Sequence, residues 1–298
     1  MTKLSDITGI SPTTRTFLPS DDFVSPACVV GMEVEVEMGR NRAPTPHEEY
    51  WSLTDDGSLR NNGIEYVSKP LFGKDIIKAL DNLTEILPGS GYTISERCGF
   101  HVHIDVSEMT TSQLLSFCCG YALIESAIYN YVGNDRRENI YCLPLSATGN
   151  IIPFLNSIKY GRNNTEIRTS IEQTCKYSGF NILPVLYQGS VEFRHHRGTI
   201  SKEAIIRWIN IIMRIREAAF RREATALTNS TYEEVRQILL GTDASTISYS
   251  RQDWLSGYIT AKDILNFNKL EDSWNEIQDF YGAVGHINLN LTSDLEDI

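Results

Sequence analysis

Three short segments alternate apolar and polar residues with the period of a half-buried β-strand, and their polar sides are dense with groups that bind cations or phosphate. In residues 32–38 these are Glu33, Glu35 and Glu37. In residues 100–106 they are His101, His103 and Asp105, and in residues 191–194 they are Glu192 and Arg194. Carboxylates at every second position of one strand face repel one another. Hard divalent cations take oxygen ligands and remove that repulsion. Carboxylates, imidazoles and a guanidinium on facing strands therefore describe a metal and phosphate site. Each motif alone is weak: E-x-E also fits a solvated edge strand, H-x-H fits two ordinary hydrogen-bonded histidines, and Glu-x-Arg pairs are common on strands. Their coincidence in one chain is far more specific. Gly99 allows close backbone approach just before the two histidines. The run His195-His196-Arg197-Gly198-Thr199 is unusually rich in polar function for a strand exit.

Other routes to phosphate or hydrolytic chemistry are missing. The chain has no G-x-x-x-x-G-K-[ST] loop, no G-x-G-x-x-G, no H-E-x-x-H and no G-x-S-x-G. Bound phosphate would therefore depend on metal ions and on arginine forks.

The elements that must position these groups can be read from periodicity. Strands are expected at 28–38, 50–53, 64–68, 99–106, 181–187 and 189–196, the third presenting Glu65 opposite to Ile64 and Tyr66. The apolar spacing predicts a helix over 74–87, stopped by Pro88-Gly89. A second runs to about residue 132, capped by Ser107 or Thr110, and a third covers 201–227. Residues 160–178 are polar with little periodicity and are expected to form a flap over substrate. Helices without a regular βαβ rhythm favour an α+β fold: a curved antiparallel sheet with helices on one face and the polar constellation on the other. Three regions follow: an irregular arm at 1–27, a catalytic domain at 28–227 and a helical extension at 228–298.

Bulk properties narrow the function. The 298 residues are 41% hydrophobic and 22% charged, as in a globular protein. The formal net charge of -11 argues against broad binding to nucleic acid or anionic membrane. The longest apolar segment, near 114–132, is interrupted by polar residues and reads as a buried helix. No secretory signal pattern is visible. The six cysteines lack C-x-x-C spacing and are expected as buried free thiols in a reducing cytoplasm.

Taken in order, Gly31-Met32-Glu33-Val34-Glu35, Asp56-Gly57-Ser58-Leu59 with Gly63-Ile64-Glu65-Tyr66-Val67-Ser68, Cys98-Gly99-Phe100-His101-Val102-His103 and Val191 to Thr199 resemble the amidoligases. These belong to the carboxylate–amine ligase superfamily, with glutamine synthetase and glutamate–cysteine ligase. Arg137 to Cys142 and Tyr177 to Asn181 also look like family segments, so the resemblance covers roughly residues 28–225. It implies a glutamine synthetase-like catalytic domain whose curved sheet binds ATP, magnesium or manganese, and an acid substrate. It implies Glu33, Glu35, Glu65, His101 and Glu192 as metal ligands and Arg194 at the transferring phosphate, with Glu65, Glu192 and Arg194 as the catalytic set. His103, Arg137 and Arg197 would contact nucleotide, and Asp56, Ser58, Arg136 and Asn181 would contact substrate. Where glutamine synthetase carries two carboxylates in its middle segment, only Glu65 stands out here. The implied partners are acid and amine substrates, small molecules or peptides.

Three other readings remain at this stage. A small-molecule kinase could share the nucleotide logic without an amine step. A metal-dependent hydrolase could use the H-x-H as zinc ligands. A non-catalytic binding protein could keep the sheet alone. The E-x-E with H-x-H favours the ligase over the kinase, the missing eightfold strand–helix rhythm disfavours a barrel hydrolase, and the intact motifs disfavour a scaffold.

Overall fold

The computed structural model describes residues 2–14, 18–37, 43–148, 151–159 and 177–283. Six strands form one open sheet in the order β2-β3-β1-β4-β6-β5. They are β1 (Val30–Val36), β2 (Trp51–Thr54), β3 (Ile64–Ser68), β4 (Gly99–Asp105), β5 (Phe180–Asn181) and β6 (Ser190–Arg197). Every neighbouring pair is antiparallel. The fold is thus α+β, as the motif order suggests.

Alternation sends the two halves of each strand pattern to opposite faces. Met32, Val34, Val36, Tyr66, Phe100, Val102, Ile104, Val191 and Phe193 are all buried on one face. Helix α3 (Thr111–Val132) covers it, its Phe117 and Tyr121 rings meeting Phe180 and Phe193 at centroid distances from 4.3 to 6.0 Å. Helix α6 (Lys202–Arg221) adds Trp208, whose ring stands edge-on to Phe193 at 6.3 Å. Thr110 starts α3 with a reciprocal capping box to Gln113, which satisfies otherwise orphaned amides.

Helix α3 is apolar nearly all round because it is also covered from behind. The long helix α9 (Arg251–Ala283) crosses it so closely that a Cβ on Gly257 would lie 2.5 Å from the Ala122 carbonyl oxygen. Tyr249 Oη donates to the Leu123 carbonyl at 2.6 Å beside this crossing. The hydrophobic core is one cluster running from Leu4 to Leu265. It includes the expected arm, where α1 (Leu4–Thr8) buries Leu4 and donates from the Leu4 and Ser5 amides to the Met109 and Ser107 carbonyls at 2.7 and 2.9 Å.

Two expected elements differ, and one unassigned region turns out helical. The strand over 181–187 is only the two residues of β5. The Asn181 side-chain carbonyl accepts from the Leu183 amide at 3.1 Å and Pro184 opens a 3₁₀ turn, so local bonding wins over pairing. The helix over 201–227 breaks at Arg222, which is extended, and resumes as a short helix at Ala224–Thr228. Two short helices, α4 (Leu145–Thr148) and α5 (Ile151–Lys159), occupy a region that the periodicity left unassigned. Residues 160–176 of the flap expected at 160–178 lie outside the described residues, as does the acidic end. Cys28, Cys98, Cys118, Cys119 and Cys142 are free and buried, while Cys175 is not among the described residues. No helix among the described residues is long and apolar enough to cross a membrane.

Candidate active site

The face of the sheet opposite the helices gathers the polar halves of the motifs. Register sets Glu35 opposite Glu65, Glu33 opposite His101, and Glu192 opposite both His103 and Asn181. Glu33 bridges the two histidines, with its carboxylate oxygens 2.9 Å from His101 Nδ1 and 3.1 Å from His103 Nε2. His103 Nδ1 lies 3.1 Å from Ser190 Oγ. His101 also stands 3.5 Å from Glu192 and 3.6 Å from Glu35. Glu35 accepts the Gly99 amide at 2.5 Å, which is the close backbone approach that the glycine permits. Glu192 pairs with Arg194 Nη1 at 2.5 Å through one oxygen and accepts Asn181 Nδ2 at 2.8 Å through the other.

Crowding sets the protonation of this cluster. Burial, then the charges of Glu33, Glu35 and Asp56, push the Glu65 carboxyl up to about 9. Burial also opposes the charge on Glu33, but hydrogen bonds from His101 and His103 outweigh it and hold its carboxyl well below the usual carboxylate range. His103 is lowered by burial yet raised overall by its bond to Glu33 and the nearby Glu192 charge. The proton on Glu65 thus moderates an excess of negative charge that cations could neutralise instead. Three donor groups have ligand atoms within 4.8 Å of one another: Glu33, Glu65 and His101; Glu33, His103 and Glu192; Glu35, Asp56 and Glu65. This set of carboxylate oxygens with imidazole nitrogens has the donor types that hold divalent cations. All five ligands implied by sequence fall within these groups, with His103 and Asp56 as additions.

Two cavities flank the cluster. One, of about 410 Å³, is lined by Glu35, Ser58, Arg97, Arg136, Tyr141 and Arg194 among others. The other, of about 390 Å³, has Ile10, Met32, Glu33, Val67, His103 and Tyr187 in its wall and no lysine or arginine among its described residues. A larger cavity of about 500 Å³ lies at the start of α3 and holds none of the cluster.

The remaining sequence candidates separate. Asp56 accepts the Ser58 amide at 2.7 Å in a turn beside Glu65. Asn181 supports Glu192. Arg136 lines the arginine-bearing cavity, whereas the neighbouring Arg137 guanidinium sits 5.1 Å from the Tyr129 ring centroid. Arg197 is exposed and paired with Asp135. His195 and His196 both pack against Trp208 on the helix-covered face, because β6 carries an irregularity between its pairs with Phe100 and Val102. Strict alternation would have put one of them beside Arg194.

Sequence reasoning also overlooked Arg97 and the role of Glu37. Glu37 is buried and accepts from the Arg60 amide and Ser95 Oγ, both at 2.8 Å, with Arg97 Nε at 3.7 Å. It ties two loops together. The period-two stripe marked Glu37, and a basic residue two positions before Gly99 marked Arg97, but neither signal shows which partner each would find.

A search of curated proteins finds no match to the chain. The sequence model of the family described as "Putative amidoligase enzyme" matches residues 37–216, from just past β1 through most of α6. With more than half of its length matched, and with the acidic, imidazole and guanidinium groups gathered on one sheet face, the chain belongs to this amidoligase family, a family of amide-forming enzymes.

Proposed function

We propose that this protein is an ATP-dependent carboxylate–amine ligase that activates its acid substrate as an acyl phosphate, with magnesium or manganese. The observation that carries the reading is the Arg194–Glu192 pair set directly against the Glu33, Glu35, Glu65 and His101 cluster, in a chain of the amidoligase family. A free carboxylate is a poor electrophile and amide formation in water is uphill. Transfer of the γ-phosphoryl group to the acid makes a good leaving group for an incoming amine.

Glu33, Glu35, Glu65, His101 and Glu192 would hold the ions, with His103 and Asp56 adjacent. When bound, the ions would neutralise phosphate oxygens and the crowded carboxylates. Arg194 stays protonated: burial works against its charge, but Glu192, Glu33 and Glu35 more than offset that. Its guanidinium donates to Glu192 and to the Tyr141 carbonyl, which fixes its direction toward the cluster. A preoriented guanidinium stabilises charge on a moving phosphoryl group without reorganising at the moment of reaction. The cavity lined by Arg97 and Arg194 suits the anionic acid. The cavity without arginine, walled by Ile10, Met32 and Val67, suits a nucleoside.

The test is trapping with hydroxylamine. With ATP, magnesium and a panel of amino acids and peptides, hydroxamate and ADP should form together. A stable phosphorylated product with no hydroxamate would replace the ligase by a kinase.

A further inference from the structure

Arg136 is a buried guanidinium whose hydrogen-bond partners among the described residues are two carbonyl oxygens and not carboxylates. Its side chain belongs to a residue only 3% exposed. Nε donates to the His195 carbonyl and Nη2 to the Arg194 carbonyl, both at 2.9 Å. Those acceptors arise from a local fault in the sheet. Val102 of β4 pairs with Phe193, but Phe100 pairs with His196. One residue of β4, His101, therefore faces two of β6, Arg194 and His195. Such a bulge disrupts the ladder and re-aims the side chains around it.

The bulge separates two environments within one peptide unit. Arg194 points to the acidic cluster. His195 turns into the core and is fully buried, with Nε2 2.8 Å from Tyr121 Oη. The Tyr121 hydroxyl donates in turn to Glu125 at 2.8 Å, which leaves His195 Nε2 as the donor to Tyr121. The Arg194 amide is held by the Gly179 carbonyl at 2.8 Å. The carbonyls of both bulged residues, Arg194 and His195, are taken by Arg136.

We propose that Arg136 is a positioning residue for Arg194. Its planar fork replaces the missing strand partner, fixes the bulge and so sets the direction in which Arg194 leaves the sheet. Two donors in one rigid plane are needed to span two successive carbonyls. A lysine ammonium has the charge but not the fork. The kinetic half of this inference rests on the ligase reading; the structural half does not.

Full-length Arg136→Lys, Arg136→Gln, Arg194→Lys and the Arg136→Lys/Arg194→Lys double variant test it. The first readout needs no substrate: the Nε–Hε resonance of Arg194 in arginine-labelled protein, assigned by its loss in Arg194→Lys. It should shift or broaden in Arg136→Lys. Arg136→Gln, which keeps an uncharged donor, serves as the second probe should the lysine variant not fold. An unchanged Arg194 resonance in a folded variant overturns the proposal. The second readout is hydroxamate formation. Arg136→Lys should lower kcat on the order of 10²-fold, the scale of a misplaced catalytic group, while KM for ATP and acid stay within about twofold. In the Arg194→Lys background the same change should cost almost nothing more, since one residue acts through the other. A raised acid KM with kcat kept would make Arg136 a direct substrate contact, and additive losses would make it a general structural residue; either outcome overturns positioning. Absence of hydroxamate from the parent protein would count against the ligase reading, with the resonance still deciding the positioning.

Discussion

The two faces of one strand handle ionisable groups in opposite ways. On the helix-covered side of β6, His195 is pushed down to about 3 by burial and by the charges of Arg136 and His196. It stays neutral and hydrogen-bonded to Tyr121. Beneath it, Glu125 is raised by burial, against the bonds from the Leu145 amide and Tyr121. On the open side, Glu192 and Arg194 join a cluster in which carboxylates outnumber cations, and Glu65 keeps its proton far above the usual range. A core admits polar groups by removing their charge. A reactive surface keeps charge in an arrangement that folding alone would not select, and such perturbation marks functional sites. On the proposed function, the open side carries the chemistry and the covered side the stability.

That division can be broken most sharply at adjacent positions. Arg194→Ala should lower product formation by about 10³-fold or more, the scale of an arginine acting on a transferring phosphoryl group. ATP affinity and the urea midpoint should change little. A variant that keeps most of its turnover would remove Arg194 from the chemistry. One residue earlier, Phe193→Ala should do the reverse. Its ring packs against Phe117, Tyr121 and Phe180, and its loss should cost about 3–5 kcal/mol in urea unfolding. Turnover per folded molecule should persist; wild-type stability in this variant would show that the covered face is not the structural one.

The pH dependence of stability sharpens the comparison further. Glu65 takes up its proton more readily when folded than when unfolded, so between its ordinary value of 4.5 and about 9 the native state holds the extra proton. Metal-free stability should fall as pH rises through that window. His195 has the opposite sign: its native value is depressed from 6.5 to about 3, so stability should fall as pH drops through that range. Thermal melts in chelator should show both slopes, and Glu65→Gln should flatten only the alkaline one. An unchanged alkaline slope in Glu65→Gln would assign it to another group. The smallest effect belongs to Glu37→Gln, which turns one of its two acceptor oxygens, one on the Arg60 amide and the other on Ser95 Oγ, into a donor. About 1 kcal/mol of local protection should be lost, read as faster hydrogen exchange at the Arg60 amide. Unaltered exchange there would mean that other contacts hold the loop.

What could be read in advance followed strict periodicity. The bounds of β3 at Ile64–Ser68, Thr110 as one of two caps offered for α3, and the shared face of Glu33, Glu35, His101, His103 and Glu192 all follow from residue type and spacing of two or near four. What escaped depended on single-residue offsets. The bulge in β6 has no glycine to announce it, so His196 could not be assigned to the covered face. Arg136 and Arg137 are neighbours in sequence, and only the 3₁₀ turn at Asn134–Arg136 decides which one reaches the sheet. The turn at Pro184 was legible from its proline, but the apolar run around it masked the signal. The docking of the N-terminal segment rests on Leu4 and backbone bonds, and no local pattern reports it.

Because β1 lies between β3 and β4, four strands of the sheet can pair once Asp105 has been synthesised, whereas β6 follows only after α3, α4 and α5. The growing chain thus assembles Glu33, Glu35, Glu65 and His101 well before Arg194 exists. During that interval β4 is an edge strand with unpaired amides and carbonyls, the kind of edge on which nascent chains aggregate. The same crowded carboxylates lie beside it, and charges on an edge strand disfavour pairing with a second copy. In chain order, the acidic stripe thus comes before the arginine that it faces in the folded sheet.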